Sequence, residues 1–158
     1  MRCADLEWEM GDLTLYTLTL YTLTLYTQFA RFNSELDVAV RQAGLHDAEV
    51  GLKGTSTTFY SENPSKPLGH HWDANPAALG DYDLNVTSSK MVDIMRSVGI
   101  SPSEKYGVFK TADMQGSFGA LNEFRQNWST TLGRDVNFVG YPAPRPRDIT
   151  EYILRGGR

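Results

Sequence analysis

Apolar residues recur at intervals of three and four over residues 28–43, at Phe29, Phe32, Leu36, Val40 and Ala43. That spacing draws one stripe along a helix. Gly44 follows directly, and glycine is the residue that most easily takes the left-handed turn that ends a helix. The run AEVGLKGTSTTFY, residues 48–60, is rich in β-formers and predicts a strand passing into a glycine-containing turn. The next segment, SENPSKPLGHHWDANPAALG, is dominated by Pro, Gly, Asn and Ser and predicts a loop. A loop of that length in a small domain tends either to move or to line a site.

DYDLNV, residues 81–86, reads as the next strand, and SSKMVDIMRSVG as a short helix capped by Ser88 or Ser89 and closed by Gly99. KYGVFKT, residues 105–111, predicts a further strand. Leu121, Phe124, Trp128 and Leu132 form the apolar stripe of a second long helix stopped by Gly133. DVNFVGY, residues 135–141, predicts a strand, and the prolines of PAPRPR cannot continue its ladder because they lack the backbone donor. Asp148, with Glu151 three residues on and Ile153 and Leu154 after it, has the form of a helix start, so the chain is expected to close on a short helix. Helices and short strands are interleaved, which predicts an α/β or α+β domain with a small mixed sheet covered by helices.

The segment at residues 13–27 fits neither period. It is LTLYT three times over, and a repeat of five rotates its leucines around a strand or a helix alike. As a strand it would show Leu13, Leu15 and Tyr21 on one face and Tyr16, Leu18 and Leu20 on the other, and it would need cover on both. The expected organisation is therefore an N-terminal appendage over residues 1–27 and one domain over residues 28–158.

The chain has 158 residues, 41% of them hydrophobic, enough for a real core in a single domain. A net charge of −4 argues against binding nucleic acid mainly through its backbone. The charge is uneven: residues 46–93 hold three lysines and seven acids, and residues 134–158 hold five arginines and three acids. Cys3 is the lone cysteine, which excludes an intrachain disulfide or a cysteine-based zinc cluster and suits a reducing compartment. No apolar run reaches the length of a membrane span, and the acidic opening MRCADLEWEM lacks the form of a secretory signal, so a cytoplasmic location is expected.

Candidate chemistry centres on Asp81 and Asp83. Alternate side chains of a strand share a face, so the two carboxylates project together while Tyr82 and Leu84 point the other way. Paired carboxylates raise each other's pKa unless a cation compensates, and magnesium takes hard oxygen ligands from one or two such groups. The alternative is a pair of solvated surface acids. Upstream, Gly54 allows close approach of backbone to a ligand, and the hydroxyls of Thr55, Ser56 and Thr57 suit phosphate oxygens.

A helix, a hydrophobic strand ending in Gly-Thr (LKGTSTTF), a loop, and a strand carrying Asp-x-Asp (GDYDLNV) resemble the nucleotidyltransferase fold of the polymerase beta type. The likeness extends to its minimal and bacterial-toxin-like members, and LGRDVNFVGY resembles the lead-in to that family's third acidic residue. The resemblance spans about residues 30–141. It implies that Gly54 and Thr55 contact nucleotide phosphates, with Ser56, Lys53, Lys90 and Arg96 as further candidates. It also implies that Asp81 and Asp83 hold Mg2+. The third acid would fall at Asn137, which cannot act as a base, and Asp135, two residues earlier, is the candidate to replace it. The implied activity is in-line attack of a hydroxyl of an RNA, protein or small-molecule acceptor on the α-phosphate of a nucleoside triphosphate. The alternative is a non-catalytic interaction or nucleotide-binding module with a degenerate site.

Other chemistries are poorly supported. His70, His71 and Asp73 of GHHWD carry metal-binding side chains, but adjacent residues point apart and no second cluster completes a set. No G-x-S-x-G, P-loop or dinucleotide-binding glycine fingerprint is present.

Overall fold

The computed structural model describes residues 28–53, 81–146 and 151–156. The LTLYT repeat, Cys3, the Gly54–Thr55–Ser56 turn, the GHHWD segment and Asp148 lie outside these residues. The chain divides into two units between Ser34 and Glu35. Of the first, residues 28–34 are described, and they are helical.

Among the described residues, four helices and a four-stranded sheet make a mixed α/β fold. Helix α1 covers residues 28–42 and is followed by β1, Glu49–Lys53. After the gap come β2, Tyr82–Thr87, and α2, Ser89–Ser97. Helices α3, Thr111–Ser117, and α4, Gly119–Leu132, precede β3, Val136–Tyr141, and β4, Tyr152–Arg155. The sheet order is β3-β2-β1-β4. β2 and β3 run parallel, and β1 is antiparallel to both β2 and β4.

Register sorts the two faces of the sheet. Leu84 lies opposite Leu52 and Phe138, and Val86 opposite Val50 and Gly140. These residues line the side on which the helices pack. Phe124 of α4 meets the Phe138 ring at 5.9 Å between centroids, and a side chain at Gly140 would collide with the sulfurs of Met91 and Met114 from α2 and α3. Glycine there lets two helices seat against one strand. The indole of Trp128 donates to Glu35 at 2.8 Å, tying α4 to α1. The alternate residues Gly51, Lys53, Asp83, Asn85, Thr87 and Asn137 share the other, polar face.

Helix ends follow their local chemistry. Ser88 caps α2 by accepting from the Met91 amide at 3.1 Å, and Gly133 closes α4 with φ of 68°.

Two expectations are corrected. Residues 105–111 do not form a strand: Phe109 alone bridges Gly140, exchanging two backbone hydrogen bonds of 2.8 and 3.0 Å. A turn at Gly107, with φ of 66°, precedes the bridge, and α3 begins at Thr111. Asp113 starts that helix by accepting from the Lys110 amide at 3.2 Å, so the extended run is cut to one residue. The chain also does not close on a helix at Ile153 and Leu154. Tyr152–Arg155 instead pairs with the free side of β1, where ladder hydrogen bonds and β-forming side chains outweigh an isolated turn of helix. Arg155 then anchors the strand, its Nε donating to Asp37 at 2.7 Å and its two terminal nitrogens to the carbonyls of Ala48 and His46. Among the described residues, no helix is long and apolar enough to cross a membrane.

Candidate functional site

Asp81 precedes β2 and Asp83 is its second residue, so both carboxylates stand at the end where β2 and β3 begin. The parallel register sets Asn137 directly opposite Asp83 on β3, and the antiparallel register sets Lys53 opposite it on β1. Asn137 Nδ2 donates to Asp81 Oδ2 at 3.2 Å. The two acids therefore converge on one amide rather than pointing apart. Tyr82, between them, faces the opposite side, and the Arg134 guanidinium lies 5.8 Å from its ring, adding positive charge at the same strand end.

Asp81 is exposed and Asp83 half-buried. Burial first, and then the negative charge of Asp81, push the Asp83 carboxyl up to about 6, while its hydrogen bond with Asn137 pulls the other way. Two adjacent carboxylates are oxygen ligands of the kind that a hard divalent cation takes. Among the described residues, no group of three or more His, Cys, Asp and Glu is placed to hold a metal. Asp135 is in no such group among the described residues. It is exposed just before β3, with its carbonyl accepting from the Tyr82 amide at 2.8 Å.

The other candidates separate. Lys53 is at the acid pair in register. Lys90 lies in the first turn of α2, past the far end of β2, and the four residues from Asp83 to Thr87 alone put ~13 Å between them. Arg96, six residues further along α2, is exposed and 3.6 Å from Asp93. Gly54, Thr55 and Ser56 are not among the described residues.

The far end of the polar face holds a pocket of about 470 Å³, lined by residues that include Asp47, Glu49, Ser88, Pro144, Arg145 and Glu151. Its charges answer one another. Asp47 occupies the N-terminus of α2, accepting from Ser88 Oγ at 2.6 Å, from the Ser89 amide and hydroxyl at 2.8 Å each, and from the Lys90 amide at 3.3 Å. Burial alone would raise its carboxyl, yet these hydrogen bonds prevail and bring it down to about 2. The helix end that could hold a phosphate is thus filled from within. Arg145 is likewise committed, 2.8 Å from Glu151 and stacked 4.2 Å from the Tyr141 ring centroid. The chemistry of the acid pair, and not the volume of this hollow, identifies the candidate site.

Sequence reasoning marked Asn137 only as a missing acid and did not foresee its contact with Asp81; the parallel register that makes the contact is a property of the assembled sheet. Comparison with protein-family models, curated proteins and solved structures finds no match to this chain.

Proposed function

We propose that Asp81 and Asp83 bind magnesium together with a nucleoside triphosphate, and that the chain transfers the nucleotidyl group to a hydroxyl of an RNA, protein or small-molecule acceptor. One observation carries the reading: two carboxylates from one strand end meet Asn137 of the adjoining parallel strand, with Lys53 in register on the other side. Bound there, magnesium would neutralise and orient the phosphate oxygens. The chain's own groups divide the remaining work. Asp81 and Asp83 supply the oxygen ligands, Asn137 positions Asp81, and Lys53 presents positive charge toward the phosphates. The hydroxyl-rich run Gly54–Thr55–Ser56 follows Lys53 directly in sequence.

Asn137 also favours a second reading, nucleotide binding without efficient transfer. An amide has no basic oxygen to take the proton of an attacking hydroxyl. The two are separated by measuring binding and transfer on the same samples, using the four nucleoside triphosphates with magnesium and mixed RNA and protein acceptors. Transfer with the natural chain, lost in Asp83→Asn, supports the first. Magnesium-dependent binding without transfer supports the second. Absence of magnesium-dependent binding in the natural chain would sink both.

A further inference from the structure

We propose that a hollow bounded by the end of α1, the start of α2 and the end of β4 binds a small anion of the phosphate class, either free phosphate or the phosphate group of a small monoester. The hollow measures about 260 Å³ and is lined by Arg41, His46, Asp47, Lys90 and Arg155. All of these but Asp47 are basic residue types. Lys90 begins α2 past the end of β2 away from Asp81 and Asp83, so the inference stands apart from the metal and nucleotide reading above.

Arg155 carries the argument. It ends β4 with its side chain only 8% exposed, yet it lines the hollow. Its Nε donates to Asp37 at 2.7 Å, and its terminal nitrogens donate to the carbonyls of Ala48 and His46. Each terminal nitrogen carries a second hydrogen, and among the described residues no other acceptor meets it. Buried donors beside a hollow call for an acceptor. Arg41, in the last turn of α1, spends its Nε on the same Asp37 at 2.8 Å and keeps its terminal nitrogens for the hollow. Lys90, exposed in the first turn of α2, adds an ammonium with three donors, and exposed His46 adds a ring nitrogen. Asp47 is the one acid in the lining, and its oxygens are turned onto the α2 terminus, accepting from Ser88, Ser89 and the Lys90 amide. Three permanent cations set against Asp37 and Asp47 leave a net positive charge on this cluster. A tetrahedral phosphate accepts from donors on several sides at once, and charge-assisted bonds to guanidinium and ammonium groups are its strongest contacts.

Lys90 thereby takes the phosphate role that the sequence suggested for it, at a place separate from the acid pair. The test titrates the full chain, without magnesium and at constant ionic strength, with inorganic phosphate, phenyl phosphate and acetate, following backbone amide shifts by two-dimensional NMR. Saturating shifts at His46, Asp47, Ser89 and Lys90 with the two phosphates, and weaker binding of acetate, are the expected result. Tighter binding of phenyl phosphate than of inorganic phosphate assigns the site to monoesters, and equal binding assigns it to the phosphate group alone. Lys90→Ala should weaken phosphate about fivefold, the upper range of an exposed ion pair. The control is Lys105→Ala, on the segment leading to the Phe109 bridge with β3 at the opposite edge of the sheet, and it should leave the affinity unchanged. Absence of saturating shifts at these residues overturns the inference, as does acetate binding as tightly as phosphate. Equal weakening by the two lysine variants, both folded by circular dichroism, shows general charge attraction and also overturns it. Should Lys90→Ala fail to fold, the location of the shifts in the natural chain still decides.

Discussion

Ionising Asp83 puts a second negative charge beside Asp81 in a half-buried position. The carboxyl titrates near 6 when folded, against an ordinary 3.8. Between those values the native state keeps a proton that the unfolded chain has released, so stability falls as pH rises through this window and stays lower above it. Asp83→Asn is expected to stabilise the chain at neutral pH by about 1–2 kcal/mol, the shift being discounted for partial solvent screening. Near pH 4 the difference should vanish. Thermal melts of both proteins across pH 4 to 8 test this, and a variant that is less stable at neutral pH would contradict it. A gain in stability on removing the charge would be the pattern of a residue kept for something other than the fold. The sequence showed the two aspartates and their shared face, because strand alternation needs only local backbone. It did not show the amide across from them, which comes from residues far along the chain.

At the scale of elements, α2 is the clearest case of local rules sufficing in part. Its Ser88 cap and its Gly99 stop are both legible in SSKMVDIMRSVG. Its second cap, Asp47, is 41 residues away from Ser88 and was not legible. Because the Asp47 carboxyl is depressed to about 2, its contribution is present above the ordinary carboxylate range and is lost as pH falls from about 4 toward 2. Asp47→Ala is expected to lose about 1–2 kcal/mol at neutral pH and to show a flatter acid limb, measurable as urea midpoints between pH 6 and 2. Helices α1 and α4 were readable because an apolar stripe repeats over several turns. Short α3, TADMQGS, offers one buried apolar residue, Met114, and so has no stripe to read. The apolar pair around Phe109 suggested a strand, but a single bridge to Gly140 satisfies its backbone before α3 begins.

Across the whole molecule, the C-terminal segment shows how tertiary context overrides a local signal. Glu151 has the sequence position of a helix-capping partner. It lies instead on the polar sheet face with its side chain only 6% exposed, held by Arg145 at 2.8 Å. Asn85 is at 3.5 Å on the same oxygen. Its place exists because residue 51 has no side chain: a Cβ there would overlap the Glu151 carboxylate. Gly51→Ala is expected to cost about 1–3 kcal/mol from overpacking, and markedly less in a Glu151→Ala background. A double-mutant cycle by chemical denaturation measures that coupling, and additive effects would show that the two residues do not compete for this space. The sequence by itself determined the helices with long stripes, the strand of Asp81 and Asp83, and the mixed α/β class, since each depends on spacing between near neighbours. Tertiary structure alone decided that Tyr152–Arg155 joins β1, that Asp47 closes α2, and that Asn137 meets Asp81. Those outcomes depend on open ladder positions and strand register between distant segments, which no local pattern encodes.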